Sequence, residues 1–423
     1  MTPHAPSHAA RAGQTAMAPT RTQDKTVRDL PSRSVQIRYL ALVCVLYGLP
    51  NLVGFGFAYS LNAVFVDLIP LQVFASDGEL VTVALAVLGS LIFVAYFAYL
   101  GTQCFKRGAH WLPRRSLGGL ALLLQSLSLL ALLLYGYGTA GKEADSLNPL
   151  VVLTSYLKAD IIFLLYYAHI RPRRFPFYNF ALYVILSTLR GWSGFWLTVL
   201  LIEGYFSIAR SKAALKPKAL VVVALLAIAA YPIAAQIRDT MRGDTVDAGA
   251  GVVSYFRLLN RLDHLSNVVM IAQDTRELST AYKRGLVAPW YTNGVTQLVG
   301  RFTGRNTDPL QRYLTTEYLV GGVEDNAGWY SQIGVAGWLF ILPFAEIPIY
   351  LLYVAILIYL PYWLAGRFLR SASIIPMLHV ATFGFVLHGW LEVHAAFIAT
   401  LVVYILLVRF GFGWRTGSVR PHR

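Results

Sequence analysis

The sequence predicts an all-α polytopic membrane protein, and three observations carry that reading. Hydrophobic residues make up 56% of the 423 residues and charged residues only 13%, about half the share usual in soluble domains. Mean hydropathy is +0.54, which implies more apolar surface than a water-soluble fold of this length buries. The apolar residues also gather in runs close to the roughly 20 that a bilayer requires.

Residues 1–38 are rich in Ala, Pro, Ser, Thr and Arg and read as a disordered cytoplasmic tail. A cleaved signal peptide is not expected, because the first apolar run starts late, is too long and lacks an A-x-A-like exit. Apolar runs follow at 39–59, 80–100, 117–137, 149–170, 177–190, 192–208 and 219–236, then at 333–361, 373–389 and 394–410, about ten helices in all. The chain thus divides into a tail (1–38), helices one to seven (39–236), a large outer loop (237–329), helices eight to ten (330–410) and a second tail (411–423). The eighth run is long, and its opening WYSQIGVAGW is expected to lie at the membrane interface. Cys44 and Cys104 support neither a disulfide framework nor a structural zinc site.

The formal charge of +15 would suggest nucleic acid in a soluble protein, but its placement argues otherwise. With the N-terminus inside, the tails and the segments 101–116, 171–176, 209–218 and 363–372 hold 23 basic residues and only Asp24 and Asp29 as acids. That asymmetry predicts N-in, C-in topology and contact with anionic lipid, and excludes a nucleic-acid partner. The large outer loop carries ten basic and ten acidic groups over 93 residues, far more charge than a connector needs.

Chemistry is expected in that loop and beside it. Over 252–272 the apolar residues fall at helical spacing, and Arg257, Arg261 and His264 share the opposite side. Two guanidiniums and an imidazole there would cradle a phosphate or pyrophosphate; a solvated helix face beside Asp263 is the plainer reading. Arg190, in STLRGWSGFW, ends a short helix at the outer surface, where the next helix aims its positive N-terminal end. Function and interfacial snorkelling both account for it. Lys158, Asp160, Glu203, Glu346 and His379 lie inside apolar runs, and Lys158 is expected to pair with Glu203 or Glu346. His388 and Glu392 sit at i, i+4, with His394 nearby, and read as a polar rim more readily than as a metal site.

The sequence contains no Walker A, no G-x-S-x-G and no H-E-x-x-H, which argues against ATP-driven pumps and common hydrolases. It also contains no D-x-D, so no metal and no cofactor is expected; glycosyl transfer here would rely on arginines to neutralise a leaving group.

The corner Ser187–Arg190, the large loop with Arg257, Arg261 and Asp263, the stretch Pro289–Pro309 with Arg301 and Arg305, and NAGWYSQIGVAGW with its Tyr330 to Gly337 step make a pattern. An R-x10-G spacing at Arg238–Gly249 adds a weak match. Over roughly 177–360 the chain resembles the Wzy-type polymerases of bacterial surface polysaccharides, which are related to the O-antigen ligases. The ligases carry a histidine late in the large loop; here only His264 is present, and early.

The resemblance implies a GT-C-like fold with a periplasmic loop, placed in the bacterial inner membrane. It implies an enzyme that joins undecaprenyl-pyrophosphate-linked repeat units into O-antigen, capsule or exopolysaccharide, often alongside a chain-length regulator. In that setting Arg190, Arg257 and Arg261 would clamp the leaving pyrophosphate, and His264 or Asp263 would be the general base, with Glu324, Asp325 and Glu392 as rivals. Arg301, Arg305, Trp290, Tyr291 and Tyr330 would contact sugars or the second phosphate group. A ligase-type transferase and a transporter or flippase for lipid-linked sugars are the alternatives. The scattered in-span charges give the transporter little support, since no Gly/Pro-interrupted helices recur symmetrically in two halves.

Overall fold

The computed structural model describes residues 33–66, 69–106, 109–136, 148–192, 194–210, 236, 240, 262–292, 309–315 and 332–416. The expected span at 219–236, save Gln236, and much of the large loop lie outside the described residues.

The chain begins with helix α1 (Arg33–Leu61), which tolerates Pro50 inside it. A short hairpin of β1 (Ala63–Val66) and β2 (Ile69–Gln72) follows. Helix α2 (Asp77–Thr102) opens on a capping box: the Glu79 carboxylate accepts from the Ser76 backbone N–H at 2.7 Å, and the Ser76 hydroxyl accepts from Glu79 N–H. After β3 (Trp111–Pro113) comes α3 (Arg115–Tyr135), which stops at Gly136. There φ is +65°, the left-handed end that glycine adopts without strain. These long elements match the first three expected spans.

The fourth run is broken. It forms α4 (Pro149–Tyr156) and α5 (Ala159–Ile170), and exposed Lys158 stands at the interruption. Helices α6 (Phe177–Leu189) and α7 (Phe195–Arg210) follow. The next described elements are α8 (His264–Gln273), α9 (Thr275–Lys283) and the single turn α10 (Leu310–Tyr313).

The expected eighth span is two helices, α11 (Gly334–Ile341) and α12 (Ile347–Phe368). The physical reason is Pro343. It forces the preceding Leu342 into an extended conformation, with ψ 144°. Nor does α11 lie at a surface: Gly334, Val335, Ala336, Gly337, Trp338 and Ile341 are all buried. Its small residues let α8 approach, and a Cβ at Gly337 would stand 2.9 Å from the Ile271 side chain.

The ninth run is also irregular, with a 3₁₀ turn (Ala372–Ile374), α13 (Ile375–Ala381) and a π segment (Thr382–Val386). A turn at Leu387–Trp390, with Gly389 at φ +82°, separates it from α14 (Leu391–Phe410). His388 and Glu392 therefore do not share a helix face. The chain closes with β4 (Gly413–Arg415), paired antiparallel with β3.

Among the described residues, α1, α2, α3, α12 and α14 are long and apolar enough to cross a membrane, and the chain is mostly helical. One end of the bundle gathers the segments around β3, the α5–α6 turn, the α12–α13 turn and β4. Trp111 N–H donates to Leu369 O at 2.8 Å, Arg114 N–H to Phe412 O at 2.6 Å, and His169 bridges Tyr404 and the Trp111 carbonyl. Arg171 grips Glu203 at the same end, with Nε and Nη2 at 2.6 and 2.7 Å from its two oxygens. Lys158 is thus not the partner of Glu203. Helix α8, the β-hairpin and the 387–390 turn occupy the opposite end.

Two glycines set how closely α2 and α12 pack. A Cβ at Gly101 would lie 2.6 Å from the Tyr362 ring, and one at Gly366 would lie 2.7 Å from the Cys104 carbonyl oxygen. Backbone cannot move aside cheaply, so Gly366→Ala should lower stability by about 1–3 kcal/mol. Gly119→Ala, where an added Cβ meets nothing within 4 Å, should be neutral or stabilising by up to about 1 kcal/mol. Thermal melting of the detergent-solubilised protein measures both; equal melting points for the two variants would contradict this packing.

Candidate functional site

Arg190 is 6% exposed, and its guanidinium forms an ion pair with Asp160 through Nη1 and Oδ2. Helices α5 and α6 have 12 and 13 residues, so each rises about 18–20 Å, short of the roughly 30 Å hydrocarbon core. They are joined at the end that holds Arg171, which brings Asp160 and Arg190 together at their other ends. The pair therefore marks the place where the fourth run breaks and the α6–α7 corner turns. Trp192 covers the guanidinium, its ring centroid 5.4 Å from Cζ. Within the described residues neither Arg190 Nε nor Asp160 Oδ1 has a hydrogen-bond partner. Lys158, two residues before Asp160, leaves the corner with two cations and one anion.

The second group centres on Asn51 in α1. Its amide nitrogen donates to Tyr47 O at 2.6 Å and Leu262 O at 3.1 Å, and its oxygen accepts from His264 N–H at 2.9 Å and Leu265 N–H at 2.8 Å. These bonds fasten the start of α8 to a spanning helix. Asp263 is the N-cap of α8: Oδ1 accepts from Leu265 and Ser266 N–H, and Oδ2 accepts from the Ser266 hydroxyl at 2.5 Å. The carboxylate fits because residue 54 is glycine; a Cβ there would run into it. The helix expected over 252–272 is described only from Leu262 onward; within that part Asp263 is non-helical and a helix begins at His264, while Arg257 and Arg261 lie outside the described residues.

His264 is 2% exposed, and its Nε2 lies 2.7 Å from Nδ1 of His388. Tyr47 stacks on the His264 ring at 6.1 Å and meets the His388 ring edge-on at 5.6 Å. Burial pushes the His264 imidazole down to about 4. It is neutral at pH 7 and brings no charge to a phosphate. A proton shared between two buried rings can be handed from one to the other.

Trp290 is buried and donates from its indole N–H to Glu346 Oε2 at 3.3 Å; the Tyr282 hydroxyl donates to the same oxygen at 2.9 Å. Glu346 is thereby spoken for by two neutral donors, not by Lys158. Tyr291, half exposed, meets Trp290 edge-on at 5.1 Å. On the far side of Trp290, Glu392 lines a crevice with Gln311 and Gly389, and Gln311 Nε2 donates to the Gly389 carbonyl at 2.6 Å. This sequence of contacts reaches from Glu346 past Trp290 to the His388 turn. Among the described residues no hydrogen bond or ion pair joins Arg190 to His264. Arg257, Arg261, Arg301, Arg305, Glu324, Asp325 and Tyr330 lie outside the described residues.

No family model matches this chain, and no curated protein or solved structure was found to match it.

Asn51 and Tyr282 were not singled out by the sequence. The available signal for Asn51 was one amide in the apolar run YGLPNLVGFG. Nothing marked Tyr282, whose role depends on a turn more than 60 residues away.

Burial raises the Asp263 carboxyl from 3.8 to about 6, outweighing the Ser266 and Leu265 donors. A raised carboxyl favours the protonated fold. Its contribution is complete below about pH 4 and is lost as the pH rises through about 6. Asp263→Asn keeps the cap and removes the titration. The wild type should therefore lose on the order of 2–3 kcal/mol relative to the variant between pH 4 and 7. Melting points of both proteins across that range test this; parallel pH profiles would contradict it.

Proposed function

We propose that the chain is a membrane-embedded glycosyltransferase of the Wzy polymerase kind. It moves a growing polysaccharide from undecaprenyl pyrophosphate onto the non-reducing end of a new lipid-linked repeat unit. The work is done at the periplasmic face of a bacterial inner membrane, and both termini are cytoplasmic. The observation that carries this reading is Arg190: a buried guanidinium at a broken-helix corner, with Lys158 adding a second positive charge beside Asp160. Charged groups at membrane depth mark functional sites more often than structural ones, and a fixed cation at a helix corner suits an anionic leaving group.

The reaction breaks a glycosyl–pyrophosphate bond, and negative charge grows on the departing pyrophosphate. In this account Arg190, with Arg257 and Arg261 of the large loop, meets that charge as it develops. The acceptor hydroxyl gives up its proton to neutral His264, and the contact with His388 provides an outlet. Asp263 positions His264 through the cap of α8 and is not itself the base. Arg301, Arg305, Tyr291 and Tyr330 serve the sugars or the second phosphate group, and Trp290 is the wall behind Tyr291.

The test is complementation of a strain lacking this chain, read as the length distribution of lipid-linked glycans. Arg190→Ala alone would strand a buried Asp160, a change that typically costs about 3–5 kcal/mol of stability. It is therefore paired with Asp160→Asn. The double variant and Arg190→Lys should each accumulate single repeat units, with polymerisation reduced at least about 100-fold. Wild-type chain lengths in a stably folded double variant would overturn the reading. Full-length chains that fail only to reach their final acceptor would favour a ligase.

A further inference from the structure

At the entry to α12 a cleft of about 470 Å³ opens between the end of α9 and the turn before α12, with Tyr282, Lys283, Gly285, Pro343 and Glu346 among its walls. Glu346 Oε2 is held by the Tyr282 hydroxyl and the Trp290 indole N–H, both uncharged donors, so the carboxyl group is fixed in direction and has no cationic partner among them. Lys283 lines the same cleft and is exposed. Among the described residues it makes no ion pair with Glu346. An anion and a cation thus face one cleft without neutralising each other.

The rim is apolar. Leu286 is 53% exposed, Phe344 88% and Ile349 58%, and each adjoins a cleft residue in sequence or on the first turn of α12. Exposed apolar side chains at the end of a spanning helix lie against lipid, so the mouth of the cleft opens toward the bilayer interface.

We propose that this cleft binds the headgroup of a zwitterionic phospholipid, a phosphoethanolamine type with a primary ammonium. The ammonium sits on Glu346 beside the Tyr282 and Trp290 rings, the phosphate is met by Lys283, and the acyl chains run past Leu286 and Phe344. The site is separate from the Arg190 corner and does not depend on the polymerase reading. A bound lipid here would brace α9 against α12 and so hold Trp290 in place.

The experiment uses the full chain in nanodiscs containing phosphatidylethanolamine and phosphatidylglycerol in equal amounts. Native mass spectrometry then counts the lipids retained. Wild type should retain phosphatidylethanolamine in preference by about tenfold, the scale of one charge-assisted contact. Glu346→Gln keeps an acceptor for Tyr282 and Trp290 but removes the charge. It should abolish the preference and leave phosphatidylglycerol retention unchanged. Lys283→Met, at an exposed position, should lower phosphatidylethanolamine retention without altering the melting point. The proposal is overturned if wild type shows no preference, if the preference survives Glu346→Gln, or if Lys283→Met leaves phosphatidylethanolamine retention unchanged, each in a folded protein.

Discussion

One amide organises the end of the bundle where chemistry is expected. Asn51 stands on an apolar helix just after Pro50, and it makes four hydrogen bonds: one to its own helix and three to the backbone at the start of α8. Leu265 N–H has Asp263 Oδ1 as a second acceptor, but the Leu262 carbonyl and the His264 N–H rely on the amide, and leaving them buried without it costs about 1–3 kcal/mol apiece. The amide is therefore both an anchor and a condition for the loop helix to enter the bundle. His264 takes its place from that anchor, His388 from His264, and the turn at Gly389 from Gln311. Loss of the first contact would loosen the rest in order.

The other recurring feature is the broken span. Non-helical backbone breaks the apolar pattern at three places: inside the fourth run at Lys158, inside the eighth at Pro343, and between the ninth and tenth at the Leu387–Trp390 turn. Non-helical backbone at membrane depth persists only where protein or water satisfies it. Each break here does have polar or charged side chains beside it: Asp160 and Arg190 at the first, Glu346 at the second, His388 at the third. The breaks are where short helices end, and helix ends are where ionisable groups can be held at fixed points in an otherwise apolar bundle.

The long elements were legible in the sequence because runs of about 20 apolar residues have few alternatives. Helices α1, α2, α3, α12 and α14 all follow from that criterion. The break at Pro343 was legible in principle, since proline constrains the residue before it, but apolar neighbours on both sides hid it. The break at Lys158 was read instead as a paired charge inside one span. The burial of α11 was missed because the segment leading into it, WYSQI, has the aromatic and polar content of an interfacial helix, whereas Gly337 of α11 serves close packing with α8. Arg190 stood out as an arginine ending a short apolar helix at the outer surface; its partner Asp160 is 30 positions earlier and reaches it only through the α5–α6 hairpin. Asp263 looked catalytic because it is an acid beside a histidine, and the structure spends its oxygens on the cap of α8. His388 was noted for its spacing to Glu392, yet its partner is His264, 124 positions away. Side-chain pairs across such distances leave no local pattern to read.

The central claim is that Asn51 holds α8, and with it the histidine pair, against the spanning bundle. Amide hydrogen exchange in wild type and Asn51→Ala tests it most directly. The account predicts that residues 262–271 lose protection in the variant, by on the order of 100-fold for loss of two buried bonds, while α2, α3 and α14 exchange as before. Unchanged protection of 262–271 in the variant would contradict it.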